Sequence, residues 1–431
     1  RQLDPTEMRD RFALDQGLSS FYAIRDLDVD RYSIDGRQQQ VMVAARELNS
    51  AGIPNRTWVS RHLIYTHGCG LVVAPASRVT TDGRPLYVDL GEKRPQLYVG
   101  DQIADYAVLR TSQAEQACPN TTETSYDGDG GVRLTGPIRR AAFALNFGEF
   151  NLFGSGLINS DSRILWVRNV RERAEKIAPF LRFDADPYAA VVDGKVVWIL
   201  DAFTTTDRYP YAQNANVSQL TSGSGLNTTF NYVRNSVKVV MDAYTGTPVF
   251  YVIDDKDPII ATWSKVFPDM FTPVSKASQE LVEHFRYPED LFRVQTNMYG
   301  RYQFDDASLF FNRDAAWSVA QASPTEPEGA TGVIGGAGAL AGTDVIDVQD
   351  ANVLRFEPYF TIFHGPNSQG DVGEFSMLRP FVPFSSDDAR KELQAFMVVS
   401  SDPKSYGKLR VYRMSACLLY TSPSPRDATL S

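Results

Sequence analysis

The chain has 431 residues, 43% of them hydrophobic and 22% charged, with 52 acidic against 43 basic side chains and a net charge of −9. That length accommodates two or three domains, and the composition is that of a folded globular chain. The acidic balance, with no long lysine or arginine cluster, excludes a phosphate-tracking nucleic-acid surface, and no apolar run reaches the roughly 18 residues that a membrane helix needs.

Residues 7–18 have mixed helical spacing and predict a short helix. A strand and turn follow at Tyr32–Gly36, and Gln40 to Ala44 alternates as a second strand. Ala51-Gly-Ile-Pro54 is a turn, after which Thr57 can cap a short helix through His62 and Leu63 that ends near Gly68. Leu71–Pro75, Leu86–Leu90, Gln96–Val99 and Tyr106–Leu109 read as strands. Cys118 to Gly131 is polar and rich in Gly, Asp and Thr, which marks a loop or boundary. Ile138 to Phe147 is a short amphipathic helix, and Asn169 with Glu172 three positions on has capping-box spacing ahead of Val170, Ala174, Ile177 and Leu181.

Beyond Pro187 the pattern turns to strands. Ala189–Leu200 is strand, Asp-Gly turn and strand, and Ser236–Ile253 is a second hairpin about Thr245-Gly246. Helices are expected within 257–271, 277–285 and 290–302, and strands within 353–363 and 394–399. Without a regular strand–helix alternation the class is α+β, with mostly antiparallel mixed sheets, short helices and two or three subdomains. The expected divisions are an N-terminal α+β part at 1–117, a central hairpin-and-helix part at 118–325, a Gly-rich flexible loop at 326–343 and a C-terminal β segment at 344–415.

Asp26-Leu-Asp-Val-Asp-Arg-Tyr32, Gln40-Val-Met-Val-Ala-Ala-Arg-Glu-Leu-Asn49 and Arg56-Thr-Trp-Val-Ser-Arg-His-Leu-Ile-Tyr-Thr-His-Gly68 form a distinctive block. With Thr204-Thr-Thr-Asp-Arg-Tyr-Pro-Tyr211, Tyr232-Val-Arg-Asn-Ser-Val-Lys238 and Arg286-Tyr-Pro-Glu-Asp-Leu-Phe292, they resemble uncharacterised protein family 0182 over most of the chain. That family comprises bacterial polytopic membrane proteins with no assigned activity. The resemblance implies an exported domain at the extracytoplasmic face of the cell membrane, joined to membrane spans that precede the point corresponding to Arg1. It ends near Met414. The stretch from Cys417 to Ser431 is similar instead to the adapter read-through of metagenomic gene fragments, so residues 416–431 are set aside as non-native.

Several groups could carry chemistry. Asp26, Asp28 and Asp30 alternate, so an extended backbone puts their carboxylates on one face, where Ca²⁺ or neighbouring arginines would relieve their repulsion. His62 and His67 are five residues apart and lack the i, i+4 spacing of helical zinc ligands. Cys69 and Cys118 could pair in an exported domain, but their separation says nothing of proximity, and Cys69 also reads as a small buried residue. Arg163, Arg168, Arg171, Arg173 and Lys176, with Arg139 and Arg140, form a basic region that reads as a solvated helix face or as a surface for anionic lipid. No nucleophile elbow, Walker lysine or dinucleotide fingerprint is present.

The binding-site candidates are Asp28, Asp30, Arg31, Arg46, Glu47, Trp58 and His67, with Arg31 and Arg46 expected to pair with the acidic residues in one polar network under the first sheet. The function expected from the resemblance is a cell-envelope binding or scaffolding module for an envelope protein, lipid or glycan. The competing class is an envelope hydrolase or transferase that uses carboxylate acid/base groups. Titratable residues converging in a pocket with shifted pKa values would discriminate the two.

Overall fold

The computed structural model describes residues 5–414 apart from 120, 123–124, 222, 304, 313–315, 323–354, 366–372, 386–389 and 391. The expected Gly-rich loop and the expected non-native tail lie outside the described residues. The chain packs as two compact units, one built from Arg1–Thr204 and Arg234–His284, the other from Thr205–Val233 and Phe285–Ser431. The boundary expected near residue 118 falls inside the first unit.

Turn chemistry sets the first unit's hairpins. Strand Asp28–Ile34 pairs antiparallel with Arg37–Ala45, and the intervening Asp35 and Gly36 have φ of 53° and 73°. Both lie in the left-handed region that a two-residue hairpin turn demands, and Asp and Gly reach it at least cost. Leu71–Pro75, buried at every position, adds a third antiparallel strand. Asp193 and Gly194 repeat the device, at 52° and 74°, between Tyr188–Val192 and Lys195–Thr206. Tyr232–Asp242, Pro248–Val252, Phe271–Pro273 and Arg182–Phe183 complete a six-stranded sheet in which Pro248–Val252 pairs in parallel with Phe271–Pro273. A smaller sheet places Arg163–Leu165 between Ala107–Leu109 and Val132–Arg133.

The helices are short and capped where their sequences say. Asn169 accepts the Glu172 amide at 2.8 Å and starts Val170–Ile177. Asp257 accepts the amides of Ile259 and Ile260 ahead of Pro258–Val266, with Pro in the first turn, where no N–H is missed. Each cap contributes about 1 kcal/mol. Thr57 Oγ1 accepts the Ser60 amide at 3.1 Å and opens the expected short helix, which continues as a wide turn over Ser60–Ile64.

One cluster ties the first hairpin sheet to the six-stranded sheet: Val41, Val43, Val73, Tyr98, Trp198 and Met241 are among its buried members. Trp198 buries its ring and donates Nε1–H to the Val99 carbonyl at 2.9 Å, so truncating it to Ala costs about 3–5 kcal/mol. In the second unit the ten-residue strand Glu374–Pro383 pairs with three others, Trp317–Val319, Tyr359–Phe363 and Ala395–Ser400, and Leu409–Arg413 extends the sheet. The class is α+β and mainly antiparallel, as expected. Of the strands expected in the first unit, Leu86–Leu90 forms only a single bridge, Val88 to Val73.

Candidate functional site

Asp28, Asp30 and Arg31 sit on the first strand of the first hairpin. Asp30 is buried, and its two oxygens are committed: one accepts the Arg31 amide and the other faces His284 Nδ1, both at 2.8 Å. The Arg31 guanidinium is buried alongside, 3.8 Å from the same carboxylate. Asp30 therefore does not join Asp26 and Asp28. Asp186 does, and oxygens of Asp26, Asp28 and Asp186 come within 4.8 Å of one another. These are donors of the kind Ca²⁺ takes. The corrected trio draws its third member from 156 positions beyond Asp30, which no local pattern announces.

Arg46 and Glu47 are neighbours in sequence but serve different partners. Arg46 lies beside Glu92 across Gly70, where an added Cβ would meet the Glu92 carboxylate at 2.5 Å. Glu92 accepts the Leu71 amide at 2.9 Å, and burial pushes its pKa up to about 7 against the pull of Arg46. Glu47 turns the other way and caps the loop at 101–102, accepting the Gln102 amide at 2.8 Å and that of Asp101 at 3.3 Å. Burial raises it also to about 7, opposed by those amides and assisted by the charges of Asp101 and Asp26. The single network expected under the first sheet is thus three separate arrangements: Arg31–Asp30–His284, Arg46 facing Glu92, and Glu47 on backbone amides.

Trp58 donates Nε1–H to the Tyr106 hydroxyl at 2.9 Å, and His62 stacks on the Tyr106 ring with centroids 4.0 Å apart. Burial lowers the His62 pKa, so the stack holds a neutral imidazole.

His67 is buried as well. Its Nδ1 lies 2.9 Å from the Gly68 carbonyl and 3.9 and 3.8 Å from the sulfurs of Cys69 and Cys118. Those two cysteines form a disulfide, so the pairing that sequence separation left open is made here, and both are buried. The Tyr22 hydroxyl touches Cys69 Sγ at 3.0 Å. Burial drives the His67 pKa down to about 4, with the Arg168 charge adding to the effect. Sulfurs bonded to each other offer no thiolate, so His67, Cys69 and Cys118 act here as packing rather than as a metal donor set.

Arg168 organises this region, and the sequence reading misplaced it. It belongs to the arginine-rich stretch read as a solvated or lipid-facing surface, yet it is fully buried. Its guanidinium donates to the carbonyls of Tyr98 at 2.7 Å, Asp105 at 3.1 Å and Thr66. Beside it the buried Glu115 accepts from Thr66 Oγ1, from the Tyr98 hydroxyl at 2.9 Å and from the Tyr126 amide at 2.8 Å. Only Arg171 and Lys176 of that stretch form surface pairs one turn apart, with Glu175 and Glu172, both at 2.8 Å.

A groove of about 370 Å³ lies elsewhere in the first unit, along Tyr32, Ile34, Leu90 and Val191, with Asp35, Asp89 and Glu280 at its rim. None of the groups with raised or lowered pKa described above lines it.

Comparison with known proteins bears on the whole chain. Residues 1–430 match the uncharacterised protein family UPF0182. The chain belongs to that family. A UPF0182 protein of Pelotomaculum thermopropionicum is 36% identical over 96% of the chain, one of Methanospirillum hungatei is 37% identical over 95% of the chain, and one of Cupriavidus necator is 38% identical over 100% of the chain. The chain spans 43–45% of the length of these UPF0182 relatives. No solved structure matches it. Asp28, Asp30, Arg31, Arg46, Glu47, Trp58 and His67 thus stand, in this UPF0182 chain, in several small polar arrangements that hold strands and loops to one another.

Proposed function

We propose that this chain is the extracytoplasmic domain of an integral membrane protein of the cell envelope, acting as a module that binds or scaffolds an envelope protein, lipid or glycan. The buried Cys69–Cys118 disulfide carries the reading, because such bonds persist in oxidising compartments and are rare in the cytosol. The relatives support it, since more than half of the Pelotomaculum protein's length lies outside the part this chain matches, which is room for an anchor in that protein. Among the described residues no helix is long and apolar enough to cross a membrane.

A binding role is favoured over an enzymatic one by where the shifted groups lie. Glu47, Glu115 and His67 are buried and Glu92 is half-buried, and each is occupied by backbone amides, carbonyls or neighbouring side chains. A general acid or base must instead reach a substrate proton.

The test uses the full-length protein in cells. Acid-quenched lysates are treated with a thiol-reactive polymer, with and without prior reduction, and intact spheroplasts are digested with protease. Cysteines that gain the polymer only after reduction, and a domain cut in intact spheroplasts, are the expected results. Free thiols and a protected domain would place the chain in the cytoplasm and overturn the proposal.

A further inference from the structure

Helix Pro137–Phe147 half-buries one face and leaves the other exposed. Phe143, Ala144 and Phe147 pack onto the cluster of Leu63, Tyr106 and Leu152. On the opposite side Ile138 and Leu145, two turns apart, are 85% and 84% exposed, with the exposed Ala142 between them. The following helical turn adds Phe150 at 74% and Phe153 at 42%. Scattered apolar residues are ordinary on a surface, but four large ones within two consecutive helices form a feature that marks interaction sites.

The charge around them has the opposite sign to the chain's. Between residues 132 and 155 there are three arginines, Arg133, Arg139 and Arg140, and one glutamate, Glu149, a local charge of +2 in a chain of −9. The guanidiniums of Arg139 and Arg140 are held by carbonyls rather than neutralised. Arg139 donates to the Arg133 carbonyl at 3.1 Å, and Arg140 donates to those of Leu152 at 3.1 Å and Ser155 at 2.9 Å. Among the described residues no carboxylate pairs with any of the three.

We infer that this face docks on an anionic lipid surface, with Ile138, Leu145 and Phe150 entering the boundary between headgroups and acyl chains and the arginines meeting lipid phosphates. The inference rests on the membrane-protein reading above and assigns the membrane-facing side of the domain. Exposed apolar side chains with arginines on the same short amphipathic helix are the combination that binds in the interface plane. A second copy of the chain fits less well, because a two-fold contact through this face would set two +2 patches against each other.

The purified chain is floated with vesicles of equimolar phosphatidylcholine and phosphatidylglycerol, and separately with pure phosphatidylcholine. Binding to the mixed vesicles that weakens with salt is expected. Ile138→Glu combined with Leu145→Glu should cut it by about tenfold or more, and Arg139→Gln by about fivefold on mixed vesicles only. Circular dichroism of each variant checks the fold, since all three side chains are exposed. Absence of binding by the parent, or equal binding by the folded double variant, overturns the inference. So does a parent dimer that the double variant breaks without any vesicle binding, which would assign the face to a second copy. Failure of the export reading appears separately, in the spheroplast digestion, and leaves the vesicle result standing.

Discussion

Arg168 and His67 show what single residues contribute. Arg168 donates to Tyr98, Asp105 and Thr66, carbonyls from three different segments, so no smaller side chain can satisfy all three at once. Arg168→Lys and Arg168→Ala should each destabilise the first unit by about 3 kcal/mol or more, measured by chemical denaturation. His67 titrates near 6.5 in the unfolded chain and about 4 when folded. Between those values the unfolded state binds the extra proton, so the contribution is full above 6.5 and is withdrawn as pH falls to 4. Glu47 and Glu92 work in reverse, since folded values of about 7 against 4.5 withdraw stability as pH rises. His67→Phe isolates its own term: the gap in stability between parent and variant should narrow by about 3 kcal/mol on acidification, and a constant gap would count against a buried neutral imidazole. Residue type alone singled out His67, Asp30 and Arg31. It could not tell Arg168 from its surface neighbours Arg171 and Lys176, because burial of a cation depends on carbonyls brought from far along the chain.

Elements were legible where their determinants are local. Asp193-Gly194, the Asn169 cap and the Asp257 cap each lie within a few residues of what they control, and the structure forms all three. Strand Glu374–Pro383 was not expected, because two prolines and an arginine interrupt its alternation and its place is set by partners on both sides. The disulfide is the other non-local element. It links the short strand Gly68–Cys69 to the loop at Cys118 and closes 49 residues. On loop-closure grounds it contributes about 4 kcal/mol, so Cys69→Ala with Cys118→Ala should lower the melting temperature by about 10 °C in scanning calorimetry. An unshifted transition would mean that the bond does not hold the first unit together.

At the scale of the molecule, the two compact units are not consecutive in sequence, since Thr205–Val233 belongs with Phe285 onward. Buried Arg379 shows why that segment matters: it donates to the Gln219 side chain at 2.8 Å and to Thr296 at 2.9 Å. A fragment that starts at Phe285 lacks the first of these partners and should give a poorly dispersed amide spectrum, whereas one that restores 205–233 through a linker should recover dispersion. A well-dispersed spectrum from the shorter fragment would show that the unit needs only its C-terminal part. Composition marks residues 213–229, rich in Asn, Ser, Thr and Gly, as a loop, but such a bias does not say which unit a loop packs with.

That interleaving also sets a timetable. Gln219 leaves the ribosome 160 residues ahead of Arg379. At about 5–20 residues per second, synthesis keeps the earlier segment waiting roughly ten to thirty seconds for the strand that will hold it. Meanwhile the first unit can close as soon as His284 has emerged. A chain built this way must finish one body while carrying a loose stretch of the other, and that stretch is where a chaperone or a translocation channel would find it exposed.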